Sequence, residues 1–471
     1  MPLFALLLLT AVRLAVAAAT PLAPDETYYW VWSRALAPGY LDHPPMVALW
    51  IWLGTTLAGD TAIGIRLLGP VAAGVGSLML VDAANRLYPA QRPGVGAAVL
   101  LNATLMLGAG AVTMTPDTPL LFFAVMTLWA LVRVSDDPRW WLVAGVAIGA
   151  GLDSKYTGAL LAIAPVLWVV GTRRWQVLRS SWPWIGAIVA VAMFAPVIAW
   201  NAEHGWVSFA KQGGRSGNWA PAQAAQHFLE LVGGQVGLAT PIVFGLFAAG
   251  LWRAGAAARR RDTAGVLLVA LAVPGLLVFV EHTLSARVQA NWLAILYPPL
   301  AIGAALVGAR WRAAAVGLGF TLTAVVYLQA AVAPLPLPRK LDPTLARLAG
   351  WGELAAAADD MRRAQGLDFV AADEYGQASE LAWWLPAGSV AVGAEERWRL
   401  FRLMPAAPST GLLLISERRQ EGPDPAQWSQ VEQIGRLTRS RGGVEAEAFR
   451  VYRATILSGA PAVVLPRHGG N

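Results

Sequence analysis

The chain has 471 residues, 56% of them hydrophobic and only 14% charged. A soluble protein carries about 25% charged residues, so a length that would otherwise fill two or three soluble domains is spent largely on apolar runs. The absence of cysteine excludes disulfides, thiolate catalysis and cysteine metal sites, and the net charge of +7 is spread over arginines between those runs rather than gathered into a nucleic-acid-binding surface.

The runs are about 18 to 22 residues long, enough to cross a hydrocarbon core. The first covers residues 3–22; it lacks a basic leader and continues past Arg13, so it reads as a retained span. Residues 24–45 follow as a polar, aromatic loop at the membrane surface. One end reads Pro-Asp-Glu-Thr-Tyr-Tyr-Trp and the other Leu-Asp-His-Pro-Pro, which places Asp25, Glu26, Tyr28, Tyr29, Asp42 and His43 together. Residues 46–57, opened by Pro44-Pro45, predict a helix in the interface or packed on the bundle. Spans follow at 64–87, 94–113 and 118–134.

Residues 139–172 would form a helix of about 50 Å, too long for one crossing. Both ends are basic and the middle reads Gly-Leu-Asp-Ser-Lys-Tyr-Thr-Gly. Two short helices with an apex at Asp153 and Lys155 explain the pattern. Spans at 183–200, 227–251, 264–281, 291–308 and 313–333 bring the count to eleven. The loops holding Arg86, Arg92, Arg133, Arg139, Arg173, Arg174, Arg179, Arg253, Arg259, Arg260, Arg261, Arg310 and Arg312 are then cytoplasmic by the positive-inside rule. The 24–45 loop and everything after residue 334 lie outside.

Pro334, Pro336 and Pro338 mark a stiff linker. Beyond it the pattern predicts a helix at 351–365, a strand at 367–371, a helix at 375–385, a strand at 411–416, a helix at 424–434 and a strand at 446–452. The expected architecture is an α-helical polytopic membrane domain (1–333) followed by a small extracytoplasmic α/β domain (334–471).

The unusual polar residues collect on the outer side, as suits chemistry on an anionic substrate at a membrane surface. Asp25 and Glu26 have a bland reading as first-turn helix residues. Neighbours on a helix diverge by about 100°, so one of them would be the base and the other would hold a cation, a metal or the fold. Asp117, between prolines, could equally be a helix cap. Lys155 needs an anion, either Asp153 or a lipid phosphate. Lys211 and Arg215 read as a solvated loop or as phosphate contacts, and Arg287 alternates with Gln289 and Asn291 toward one cavity. No His-x-x-x-His spacing indicates a dedicated zinc site. A transporter or lipid flippase is the main alternative; it would place ionisable groups at the bilayer midplane and show inverted symmetry.

Taken together, Asp-Glu-Thr-Tyr-Tyr-Trp-Val-Trp-Ser (25–33), Asp-His-Pro-Pro (42–45), Thr-Pro-Asp-Thr-Pro-Leu (115–120), Gly-Leu-Asp-Ser-Lys-Tyr-Thr (151–157), Trp-Asn-Ala-Glu-His-Gly-Trp (200–206) and Arg-Val-Gln-Ala-Asn-Trp (287–292) resemble bacterial glycosyltransferase family 39 proteins of the GT-C class. The resemblance implies a multi-pass inner-membrane enzyme with a periplasmic C-terminal domain. It would take a sugar from a polyprenyl-phosphate donor and pass it to a lipid A, lipopolysaccharide, other glycolipid or protein acceptor. It implies Asp25 as base with Glu26 beside it, Asp117 as a second acid, and Lys155 on the carrier phosphate. Arg287, with Lys211 or Arg215, would share that phosphate's charge, and Tyr28, Tyr29, Asp42, His43 and Asn291 would frame the site. Asp153 departs from the family pattern and is expected to compete for Lys155. No cofactor is called for; a divalent cation joining Glu26 to the phosphate stays open.

Overall fold

The computed structural model describes residues 3–213 and 221–469. The chain forms two compact units. The first takes residues 1–15, 38–47 and 67–326; the second takes 16–37, 48–66 and 327–471.

The chain opens with α1 (Leu3–Ala19) and α2 (Pro24–Arg34), which meet at 89°. The 24–45 segment is therefore not a loop throughout: its first half is a helix. Pro24 suits a first helical turn, and the Glu26 carboxylate accepts the Ala23 amide at 3.0 Å. Next come α3 (Met46–Ala58), α4 (Ala62–Arg66), α5 (Leu68–Leu87), α6 (Gly94–Asn102), α7 (Leu105–Gly110) and α8 (Asp117–Arg133). The 139–172 run divides into α9 (Trp140–Ser154) and α10 (Ala159–Thr172), with Lys155 extended between them at φ −160° and ψ 145°. The two legs meet closely at the apex. A Cβ on Gly158 would lie 2.3 Å from the Gly151 carbonyl oxygen, so only glycine fits there.

Then follow α11 (Trp182–Glu203), α12 (Val207–Gly213), α13 (Pro221–Ala239), α14 (Pro241–Arg259), α15 (Thr263–His282), α16 (Tyr297–Ala305) and α17 (Arg312–Val332). The single span expected at 227–251 is two helices. Pro241 lacks an amide and constrains the residue before it, and Thr240 turns to φ 71°. Ala62–Leu87, α11, α14, α15 and α17 are long and apolar enough to cross a membrane. Ile188, Val191, Leu277 and Val332 on these helices are exposed, as lipid-facing residues must be.

The rest of the second unit comprises α18 (Pro343–Leu348), α19 (Trp351–Ala364), β1 (Val370–Ala372), α20 (Tyr375–Trp384), β2 (Ala391–Gly393), β3 (Thr410–Ser416), β4 (Trp428–Arg441), β5 (Val444–Ile456) and β6 (Val463–Val464). The sheet order is β4-β5-β3-β1-β2-β6. β1 runs parallel to β2 and β3, and the other pairs are antiparallel. β3 is buried on both faces, which its unbroken Leu-Leu-Leu-Ile run anticipates. The helix expected at 424–434 is a correction: from Trp428 onward the segment is β4. It joins β5 through Gly442 and Gly443, both at positive φ, the pairing a two-residue hairpin turn requires.

Arg439 of β4 fastens α18 to this sheet. Its buried guanidinium lies 4.1 Å above the Trp351 ring, donates to the carbonyls of Ala346 (2.8 Å) and Ala349 (2.5 Å), and meets Glu447 at 3.2 Å. Arg439→Ala should lower the stability of this domain by about 3–5 kcal/mol, the typical result of orphaning a buried charge partner. Thermal unfolding of the full chain in detergent would measure it.

Candidate active site

In the second unit, α2 carries Asp25 and Glu26 into different surroundings. Glu26 is fully buried. Its Oε1 and Oε2 accept from Arg66 Nε (2.7 Å) and Nη2 (2.6 Å). Arg66 also donates to the carbonyls of Ala17, Thr20 and Pro21 and to the Thr20 hydroxyl. This bidentate pair holds the corner between α1 and α2. Both carboxylate oxygens of Glu26 are engaged by Arg66.

Asp25 keeps its carboxylate partly open, at 36% side-chain exposure. Arg347 Nη1 reaches Oδ2 at 3.1 Å, and the Tyr375 hydroxyl donates to Oδ1 at 3.4 Å. Tyr375 is set by its neighbours. Arg397 lies 3.9 Å over its ring and donates to the Tyr28 hydroxyl at 3.2 Å. Tyr28 and Tyr29 are buried and pack on one another, and Tyr28 also meets Tyr375 and Trp398. α20 approaches α2 closely enough that a Cβ on Gly376 would sit 2.8 Å from Pro24 Cβ.

Two further acids border this cluster. Glu374 caps α20 through the Gln377 amide. Burial pushes its carboxyl above the usual range, and the nearby Asp25 charge adds to the rise. Burial likewise pushes Glu395 up to about 7, against the pull of Arg397.

In the first unit, Lys155 and Asp117 are both buried and pair at 2.8 Å through Asp117 Oδ1. Asn291 donates to Oδ2 at 2.7 Å, and the Trp292 ring lies 5.6 Å from the Lys155 ammonium. Asp117 opens α8, Lys155 sits at the α9–α10 break, and Asn291 belongs to a 3-10 turn, so three separate elements converge. Lys155 pairs with Asp117 and not with Asp153, whose Oδ1 is buried without a hydrogen-bond partner among the described residues.

The other expected phosphate contacts pair with different residues. Lys211 bonds Asp42 at 2.5 Å, with Gln212 donating to the Asp42 carbonyl. His43 shares the segment with Asp42. Arg287, 75% exposed at its side chain, pairs with Glu230 at 2.9 Å. Arg215 lies outside the described residues. Sequence reasoning missed Arg66, Arg347, Tyr375 and Arg397. No local motif marks them, because each acts on residues far away along the chain.

Residues 42–200 match the family described as dolichyl-phosphate-mannose-protein mannosyltransferase. The chain is 28% identical over 392 residues to the lipid A galacturonosyltransferase RgtD of Rhizobium johnstonii, covering 80% of each. The undecaprenyl phosphate-alpha-4-amino-4-deoxy-L-arabinose arabinosyl transferase of Edwardsiella ictaluri is 27% identical over 204 residues, 38% of this chain and 36% of its own. In fold, the chain follows the crystal structure of ArnT from Cupriavidus metallidurans bound to undecaprenyl phosphate. The TM-score is 0.65 at 16% identity, over 96% of this chain and 98% of that one.

In sequence and fold the chain is similar to membrane glycosyltransferases of the GT-C class and family 39 type. Within the transferase, the adjacent acids of α2 have separated into an open carboxylate and a structural one, and stability measurements should resolve the two. Glu26→Gln leaves Arg66 without its counter-charge in a buried site and should cost about 3–5 kcal/mol. Asp25→Asn, at a partly exposed position, should stay within about 0.5 kcal/mol. Thermal unfolding of both variants, side by side with the parent, is the check.

Proposed function

We propose that this transferase moves a sugar from a polyprenyl-phosphate donor to a hydroxyl of an envelope glycolipid, on the extracytoplasmic face, in a single inverting displacement. One observation carries the donor assignment. The turn that holds Asn291 on Asp117 continues into Leu293, Leu296 and Tyr297, which line an apolar cavity of about 330 Å³ among α13 to α16. A buried ammonium and an apolar cavity, both met by this one short turn, suit an amphiphile with an anionic head and a hydrocarbon tail.

Asp25 would act as the base. It takes the acceptor proton as the acceptor oxygen forms its bond to C1 of the sugar, while the bond from C1 to the phosphate oxygen breaks and polyprenyl phosphate leaves with the electron pair. Arg347 and Tyr375 hold the carboxylate in place. Lys155, steadied by Asp117, would stabilise the phosphate charge as it grows. An ammonium has three donors, and Asp117 takes one of them at Lys155. Lys211 and Arg287 are assigned a lesser part, since their partners, Asp42 and Glu230, are not those of the Lys155 cluster and Arg287 is largely exposed.

The names of the similar galacturonosyltransferases and arabinosyl transferases support a lipid A or lipopolysaccharide acceptor. The match over 80% of both chains favours galacturonic acid as the first sugar to test. The apolar runs are read as eleven crossings of an inner membrane, and the arginine distribution orients them with residues 334–471 as a periplasmic domain.

Transfer of radiolabelled sugar from a polyprenyl phosphate to lipid A by purified protein tests the reading. Asp25→Asn should reduce turnover by about 10²–10⁴-fold, and Lys155→Met by about 10²–10³-fold, with folding preserved for Asp25→Asn. Wild-type turnover in the Asp25 variant would sink the base assignment.

A further inference from the structure

A charged cavity lies in the first unit, lined by none of the residues given a role above. It has a volume of about 590 Å³ and is lined by Arg92, Gly96, Val99, Leu306, Arg312 and Val316 among others. At about 30 Å³ per water, it is far larger than a bare phosphate ion needs. No carboxylate of the described residues lines it.

Its two cations are set up in unusual ways. Arg312 Nε is buried with no hydrogen-bond partner among the described residues. That is a costly state for a guanidinium, which is ordinarily satisfied when buried. Arg312 can lie against α6 because position 96 is glycine: a Cβ there would stand 3.2 Å from Arg312 Nη1 and 3.3 Å from Ala305 Cβ. Arg92 adopts φ 44°, a left-handed conformation that non-glycine residues seldom take and that concentrates at functional positions. The remaining walls are largely aliphatic, and Val95 beside them is exposed.

We propose that this cavity binds an anionic phospholipid, with its phosphate between Arg92 and Arg312 and an acyl chain along Val99 and Val316. Two guanidiniums with no acid among the lining residues favour an anion, and charge-assisted contacts to phosphate are among the strongest hydrogen bonds available. The aliphatic walls would gain nothing from a free ion but bury part of a lipid chain. Both arginines belong to the arginine-rich loops, where the anionic lipids of a cytoplasmic leaflet would meet them.

The full chain would be placed in phosphatidylcholine nanodiscs doped with phosphatidylglycerol, and the lipid it retains counted by native mass spectrometry. The parent should retain phosphatidylglycerol over phosphatidylcholine, and the double variant Arg92→Gln/Arg312→Gln should retain at least about tenfold less, equivalent to about 1.4 kcal/mol of binding. Gly96→Ala, which narrows the cradle and leaves the charges in place, should weaken retention as well and decides the matter if the double variant does not fold. Equal retention of phosphatidylcholine by the parent, or unchanged retention in the variants, would overturn the proposal. So would displacement by millimolar inorganic phosphate, which would mark a site for the free ion.

Discussion

A guanidinium withdrawn from water must find its counter-charge and its hydrogen bonds inside the fold, and Arg66 finds both at one corner. Glu26 neutralises it, while three backbone carbonyls from the end of α1 and the segment after it take the remaining donors. The turn of 89° between α1 and α2 follows from this arrangement, because those carbonyls have no helical partner once α1 ends. The direction of α2 then decides which side of its first turn is buried. Glu26 points inward, Asp25 points toward α18 and α20, and an acid pair that looks redundant in sequence acquires two separate duties.

The same logic governs the Lys155 cluster. A lysine amid apolar helices persists only if paired, and Asp117 supplies the pair from the start of α8. Asn291 adds a neutral donor to the second carboxylate oxygen and so orients it without altering the charge balance. A paired cation of this kind is held in position before any anion arrives, which reduces the ordering needed on binding.

Much of this was readable from the chain. The break at Lys155 was legible because a charged residue and flanking glycines interrupt an apolar run too long for one crossing. The span at 118–134 matches α8 nearly to the residue. Elsewhere local signals misled. Val431, Ile434 and Leu437 fall three apart and mimic a helix face, yet they lie on β4, where register shifts near Glu432, Gly435 and Ser440 disturb the two-residue period of a strand. The proline at 241 was passed over inside one apolar run. Arg347 and Tyr375 could not be found at all: they reach Asp25 across 322 and 350 residues, and nothing in their own neighbourhoods announces it.

Those register shifts on β4 have a consequence of their own. β4 is an outer strand of the sheet, 14 residues long, and a strand of that length with open amides is a template for its copies in neighbouring molecules. Anchoring in a membrane confines such chains to two dimensions and raises their encounter rate. The bulges twist the strand out of line, and Arg436 and Arg441 put charge along it. At the opposite border, β6 is only two residues long. Both borders are thereby blunted against edge-to-edge pairing with a neighbouring copy, a hazard that crowding in the bilayer would otherwise sharpen.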